Sequence, residues 1–166
     1  KKIAEYESSL HNEAISLDQV IVVNGATEGL TLAFWAILNE GDNLIIPTPS
    51  FPLYQSQVKL SGAKTRLLDI SKSDFQIDEA ELLALADEST KGIILASPNN
   101  PTGTLFNKAS IQSIVTLLHK YPDIYVVIDE VYRSMIYDGS YESIRDFKEF
   151  TDRIIVVNSF SKSHAM

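Results

Sequence analysis

Arg153-Ile154-Ile155-Val156-Val157-Asn158-Ser159-Phe160-Ser161-Lys162 reads as a buried β-strand that runs straight into a small polar loop. The apolar run shows no polar alternation, the pattern of a strand covered on both faces. Similar runs recur upstream at residues 20–23, 43–46, 64–68, 92–96 and 124–128, which together with 153–157 are the strand candidates. Helical patterns stand between them. Residues 25–38 carry Leu30, Ala33, Phe34, Ile37 and Leu38 at helical spacing, with Gly41 after the end. Asp78-Glu79-Ala80-Glu81 resembles a capping box opening a helix through residue 86. Asn107 can cap a helix whose inner face is Ile111, Ile114, Val115 and Leu118, with Pro122 beyond it. Ile3, Tyr6 and Leu10 give an opening helix, and residues 137–141 the longest loop. Strands alternating with helices predict an α/β domain, three-layered, with a mostly parallel sheet and helices on both faces.

The bulk numbers narrow the function. A chain of 166 residues can bury a full core, and 45% hydrophobic with 22% charged residues is ordinary for a globular domain. The net charge of −8 argues against a nucleic-acid partner. Without cysteine there are no disulfides or thiolate metal sites, and the composition is compatible with a reducing cytoplasm. No apolar run approaches the ~20 residues that span a bilayer, so no membrane partner is expected. His11, His119 and His164 lack metal-ligand spacing and read as surface or helix-end residues. Glu130, Glu142, Asp146, Glu149 and Asp152 read as solvated surface. The chain starts at Lys1 without an initiator methionine and stops at Met166, so residues 1–166 are expected to be one domain truncated at both ends.

In open α/β sheets ligands bind outside the carboxyl ends of the strands, which directs attention to the segments after each run. Asn24-Gly25-Ala26-Thr27-Glu28-Gly29 leads into a helix whose free N–H groups suit a phosphate, although Glu28 equally completes an ordinary cap. In Pro47-Thr48-Pro49-Ser50-Phe51-Pro52-Leu53-Tyr54, Phe51 presents a ring to a planar ligand or serves as a core aromatic. Ser97-Pro98-Asn99-Asn100-Pro101-Thr102-Gly103 is a rigid loop with side-chain amides to donate. Asp129, in Asp129-Glu130-Val131-Tyr132, is costly at the mouth of an apolar strand unless it meets a cation such as a protonated ring nitrogen; the other reading is a helix N-cap. Lys162 is either a solvated lysine or an amine nucleophile made reactive when burial lowers its pKa.

A phosphate cradle, a stacking ring, an amide, a buried carboxylate and an amine together suit a phosphorylated aromatic aldehyde, pyridoxal 5'-phosphate (PLP). The Asn99-Asn100-Pro101-Thr102-Gly103 loop, the Asp129…Tyr132 pair, and Ser159-Phe160-Ser161-Lys162 ahead of Ala165-Met166, in this order, resemble the large domain of a fold-type I, class I/II aminotransferase. The ending Ser161-Lys162-Ser163-His164-Ala165-Met166 is most similar to a bacterial branch with aromatic and N-acetyl-diaminopimelate aminotransferases. The resemblance implies amino acid and 2-oxo acid substrates, a cytoplasmic homodimer, and Lys162 as the Schiff-base lysine and base of the proton shift. It further implies Asp129 on the pyridinium nitrogen, Asn100 and Tyr132 on the phenolic oxygen, and Phe51 on the ring. Ala26, Thr27 and Ser159 would hold the phosphate. The family's phosphate and carboxylate arginines fall outside the chain, so this piece alone is expected to be inactive. Two rivals share these residues: another PLP enzyme such as a C–S lyase or decarboxylase, and a non-catalytic fragment that only folds or dimerises. A third, the S-x-x-K of serine acyl-transferases, lacks its K-T-G and S-D-N partners here.

Overall fold

Side chains on a β-strand alternate between two faces, so a strand that is apolar at every position needs a cover on each side. The computed structural model, which describes residues 1–11 and 14–166, supplies both covers. Its sheet contains β1 (Asn43–Thr48), β2 (Lys64–Asp69), β3 (Thr90–Ala96), β4 (Tyr125–Asp129) and β5 (Ile154–Val157) in the order β2-β1-β3-β4-β5. Every neighbouring pair is parallel. Ile45, Ile93, Leu95, Val126 and Ile128 face α4 (Glu79–Leu85) and α5 (Lys108–Lys120), through Leu82, Ile111, Ile114, Leu117 and Leu118. Their neighbours Leu44, Ile46, Ile94, Val127 and Val157 face α2 (Gly25–Ile37) and α3 (Leu53–Leu60), through Leu30, Phe34 and Val58. The three-layer α/β/α architecture follows directly from that alternation.

The helix punctuation acts as its chemistry predicts. Asp78 accepts from the Glu81 amide at 2.9 Å and Asn107 from the Ser110 amide at 2.9 Å, each satisfying an otherwise orphaned first-turn donor. Arg153, at the entry to β5, donates to the carbonyls of Leu118, Tyr121 and Pro122 and so closes the C-terminal end of α5. The opening pattern forms α1 (Lys2–His11). The side chain of His11 lies outside the described residues. None of the helices described is long and apolar enough to cross a membrane.

Two expectations are corrected. Residues 20–23 pair with no strand among the described residues, and Ile21 and Val22 are 81% and 77% exposed. β-Branched residues favour an extended backbone, but a strand also needs a neighbour to complete its ladder. Val23 instead packs beside α2: a Cβ built on Gly29 would lie 3.5 Å from Val23 and 3.1 Å from Val157. Glu130, expected in the solvated surface, is fully buried, because Arg133, Arg145 and Tyr141 supply its partners.

Candidate active site

Because the strands are parallel and closely in register, their carboxyl ends meet along one edge of the sheet. Ala96 pairs with Asp129 and Asp129 with Val157, so the loops after β3, β4 and β5 start side by side. The segments singled out in the sequence are therefore neighbours in space.

Asp129 is buried at this edge, 6% exposed. The Tyr54 hydroxyl donates to its Oδ2 at 2.7 Å, and the Val131 amide reaches Oδ1 at 3.3 Å. Asp129 is thus a buried carboxylate that accepts from the first amide of the following turn, whose helical part is capped from Tyr132 instead. Burial pushes its carboxyl above the ordinary range, with a smaller push from the Glu130 charge, while the two donors pull it back. Burial and the Asp129 charge push the Tyr54 phenol upward, so Tyr54 keeps its proton and remains the donor. The edge of one ring meets the face of the other between Phe51 and Tyr54, with centroids 5.9 Å apart and planes at 84°. Phe51 itself is 37% exposed and keeps surface free for a ligand.

The two asparagines after β3 divide the work. Asn99 is buried and donates to the Pro49 carbonyl at 3.0 Å and to Thr102 at 2.9 Å, bracing this loop against the one after β1. Asn100 is half-buried, and its amide has no hydrogen-bond partner among the described residues. The Tyr132 hydroxyl is in the same condition, and both residues line a cleft of about 450 Å³. Lys162 lies on α6 (Phe160–Ser163) with its Nζ 5.7 Å from the centre of the Tyr132 ring. Among the described residues Lys162 is exposed, as the solvated reading has it, and lies on the single turn of α6.

Gly25 opens α2 with φ +77° and nothing within 4 Å of where a Cβ would stand. That conformation suits glycine and leaves the amides of Ala26 and Thr27 at an open helix start. Glu28 accepts from the Asn24 amide, as the cap reading has it. Ser159 caps α6, accepting from the Ser161 amide at 3.0 Å, and shares a cleft of about 690 Å³ with Gly25. Of the expected residues, the structure sets the Lys162 amine over the Tyr132 ring, and Ser159 lines one cleft with Gly25, while Ala26 and Thr27 are not among that cleft's lining residues. Sequence reasoning missed Tyr54. Its signal was the three-residue spacing from Phe51 across a helix start, which puts both rings on one side.

These residues fit PLP. A buried carboxylate already provided with a protonated donor suits a cationic ring nitrogen. The partnerless donors of Asn100 and Tyr132 suit an oxyanion, and the open first turn of α2 suits a phosphate.

Removal of the Tyr54 hydroxyl should expose how far Asp129 depends on it. Tyr54→Phe is expected to cost about 1–3 kcal/mol at pH 7, a fall of several degrees in melting temperature. The folded-state pKa of Asp129 lies above its unfolded value, so its ionisation removes stability as pH rises through the folded pKa. The variant raises that pKa further, so the gap between the two proteins should narrow toward about pH 4. Melting curves that coincide at every pH would show the bond to be idle.

The whole chain, residues 1–166, matches the family described as "Aminotransferase class I and II". The aspartate aminotransferase of Thermotoga maritima is 38% identical over 99% of this chain and 44% of its own length. Its crystal structure superposes with a TM-score of 0.93 at 37% identity, again over 99% of this chain and 44% of that one. The alanine aminotransferase of Pyrococcus furiosus gives a TM-score of 0.87 at 35% identity over 96% of this chain and 40% of that one. The probable N-acetyl-LL-diaminopimelate aminotransferase of Bacillus subtilis is 32% identical over 100% of this chain and 40% of its own. The chain thus spans 40–44% of the length of these relatives.

Proposed function

The chain belongs to the class I and II aminotransferase family, and from that premise we propose that it is the PLP-binding domain of a longer aminotransferase. The observation that carries this reading is the buried Asp129 carboxylate with its protonated Tyr54 donor, at the strand edge that also holds Lys162. PLP, when bound, supplies a conjugated ring that accepts the electron pair left when an amino acid loses its Cα proton.

The chain's own residues do the rest. Asp129 holds the proton on the ring nitrogen, and Tyr54 holds Asp129 in place. Asn100 and Tyr132 donate to the phenolic oxygen, and Phe51 covers a ring face. The amides of Ala26 and Thr27, the Thr27 hydroxyl and Ser159 bind the phosphate. Lys162 would hold the aldehyde through its amine and, once freed by the substrate amine, would serve as the base that takes the Cα proton. Its tether to the site gives that transfer the advantage of proximity.

The substrates under this reading are an amino acid and a 2-oxo acid, the donors being those the relatives' names span: aspartate, alanine and N-acetyl-LL-diaminopimelate. The working form is a cytoplasmic homodimer. The test is to supply the full-length protein with PLP, 2-oxoglutarate and each donor in turn. Equal amounts of new amino acid and new 2-oxo acid are expected. Release of carbon dioxide or ammonia in their place would assign a decarboxylase or lyase and refute transamination.

A further inference from the structure

Successive residues of β4 point to opposite layers, and this separates Asp129 from Glu130. Val127 and Asp129 face the α2–α3 layer, where Tyr54 waits. Val126 and Ile128 face the α4–α5 layer, and Glu130 continues on that side. Its backbone amide still bonds to the Val157 carbonyl at 2.9 Å, so Glu130 prolongs the strand by one rung beyond Asp129.

Around the fully buried Glu130 carboxylate stands a group of charged and hydroxyl side chains. Arg133 Nη1 is 3.2 Å from Glu130 Oε2, and the Tyr141 hydroxyl donates to Oε1 at 2.7 Å. The Arg133 guanidinium also lies over the Tyr141 ring, 4.7 Å from its centre. Arg145 is 3.9 Å from Glu130 and reaches 3.4 Å from Glu7, on α1, at its other side. Among the described residues, Arg133 and Arg145 thus link Glu130 to Glu7. Burial and the Glu130 charge push the Tyr141 phenol up, so it keeps its proton and stays a donor.

Stability alone is a poor reason for such a group, because apolar side chains of similar volume often serve as well or better in its place. Its location suggests another task. Tyr132 lies between Glu130 and Arg133, which grip each other twice: through the guanidinium, and through the Arg133 amide to the Glu130 carbonyl at 2.9 Å. The Met135 amide closes the next turn on the Tyr132 carbonyl at 2.9 Å. With both sides fixed, the Tyr132 ring is held beneath the Lys162 amine.

We propose that Glu130 is a positioning residue for Tyr132, and that the chain Glu7–Arg145–Glu130–Arg133 couples helix α1 to the turn that carries it. The part concerning the cofactor rests on the function proposed above; the coupling to α1 does not.

The test uses the full-length protein in two arms. Without cofactor, hydrogen exchange is read at the Arg133 and Met135 amides. Glu130→Gln should speed it about tenfold, and Glu7→Gln, a remote and milder change, about threefold. Unchanged exchange in Glu7→Gln would overturn the coupling, and this variant carries the arm if Glu130→Gln does not fold. With PLP added, the pH midpoint of the bound cofactor's visible band is followed. Tyr132→Phe removes a donor to the phenolate and should raise the midpoint. Glu130→Gln should raise it partway, and the double variant no further than Tyr132→Phe alone. A full additional shift in the double variant would mean that Glu130 acts on the cofactor without Tyr132, which overturns the positioning role. A wild-type protein that binds no PLP would refute the proposed function, and the exchange arm would still decide the coupling.

Discussion

Lys162→Ala in the full-length protein is expected to abolish transamination, leaving under about a ten-thousandth of wild-type turnover. The size follows from the two tasks assigned to one amine. Lys162 anchors the aldehyde and then carries the proton, and an alanine does neither. The loss should be chemical rather than structural. In the cofactor-free protein the melting temperature should hardly move, since among the described residues Lys162 is exposed and lies over the Tyr132 ring, outside both core clusters. Small primary amines in the buffer should restore part of the rate, because they replace the group while lacking its tether. A variant that keeps more than about a hundredth of the activity would remove Lys162 from the role of base.

The second large effect is expected at Asp129. Asp129→Asn keeps the shape and still accepts from Tyr54, but offers a ring nitrogen no negative charge. Breaking a buried pair of this kind costs about 3–5 kcal/mol, which corresponds to a loss of about 10²–10⁴ in rate. Stability of the cofactor-free protein should move the other way. Burial raises the folded-state pKa of Asp129 above its unfolded value, so ionisation costs the fold stability at pH 7. The asparagine removes that cost, and the cofactor-free variant should melt no lower than the wild type. Activity assays and melting curves on the same preparations check both signs. Lost activity with collapsed stability would instead make Asp129 a structural residue.

Most of the framework was legible because the strands are covered on both faces. The runs at 43–46, 64–68, 92–96, 124–128 and 153–157 each became a strand to within two residues at either end. The run at 20–23 looked no different, yet residue types announce an extended backbone and never the neighbour that would pair with it. The caps at Asp78 and Asn107 were legible because their partners lie three residues away. Tyr54 and Glu130 were not, for the opposite reason. Tyr54 meets a carboxylate 75 residues further on, and Glu130 owes its burial to Arg145 and, through it, to Glu7 at the start of the chain. A charged residue beside an apolar strand reads as surface until its counter-charges are located, and only the fold locates them. For Lys162 the sequence left a solvated and a buried amine both open, because exposure is a property of tertiary packing.

The claim that the strand edge is a PLP site is tested most directly by incubating the full-length protein with PLP, reducing it with borohydride, and mapping the modified peptide by mass. Borohydride fixes the aldehyde on whichever amine holds it. One adduct, on Lys162, is the predicted result. Adducts scattered over surface lysines, or none, with Lys162 unmodified, would contradict it.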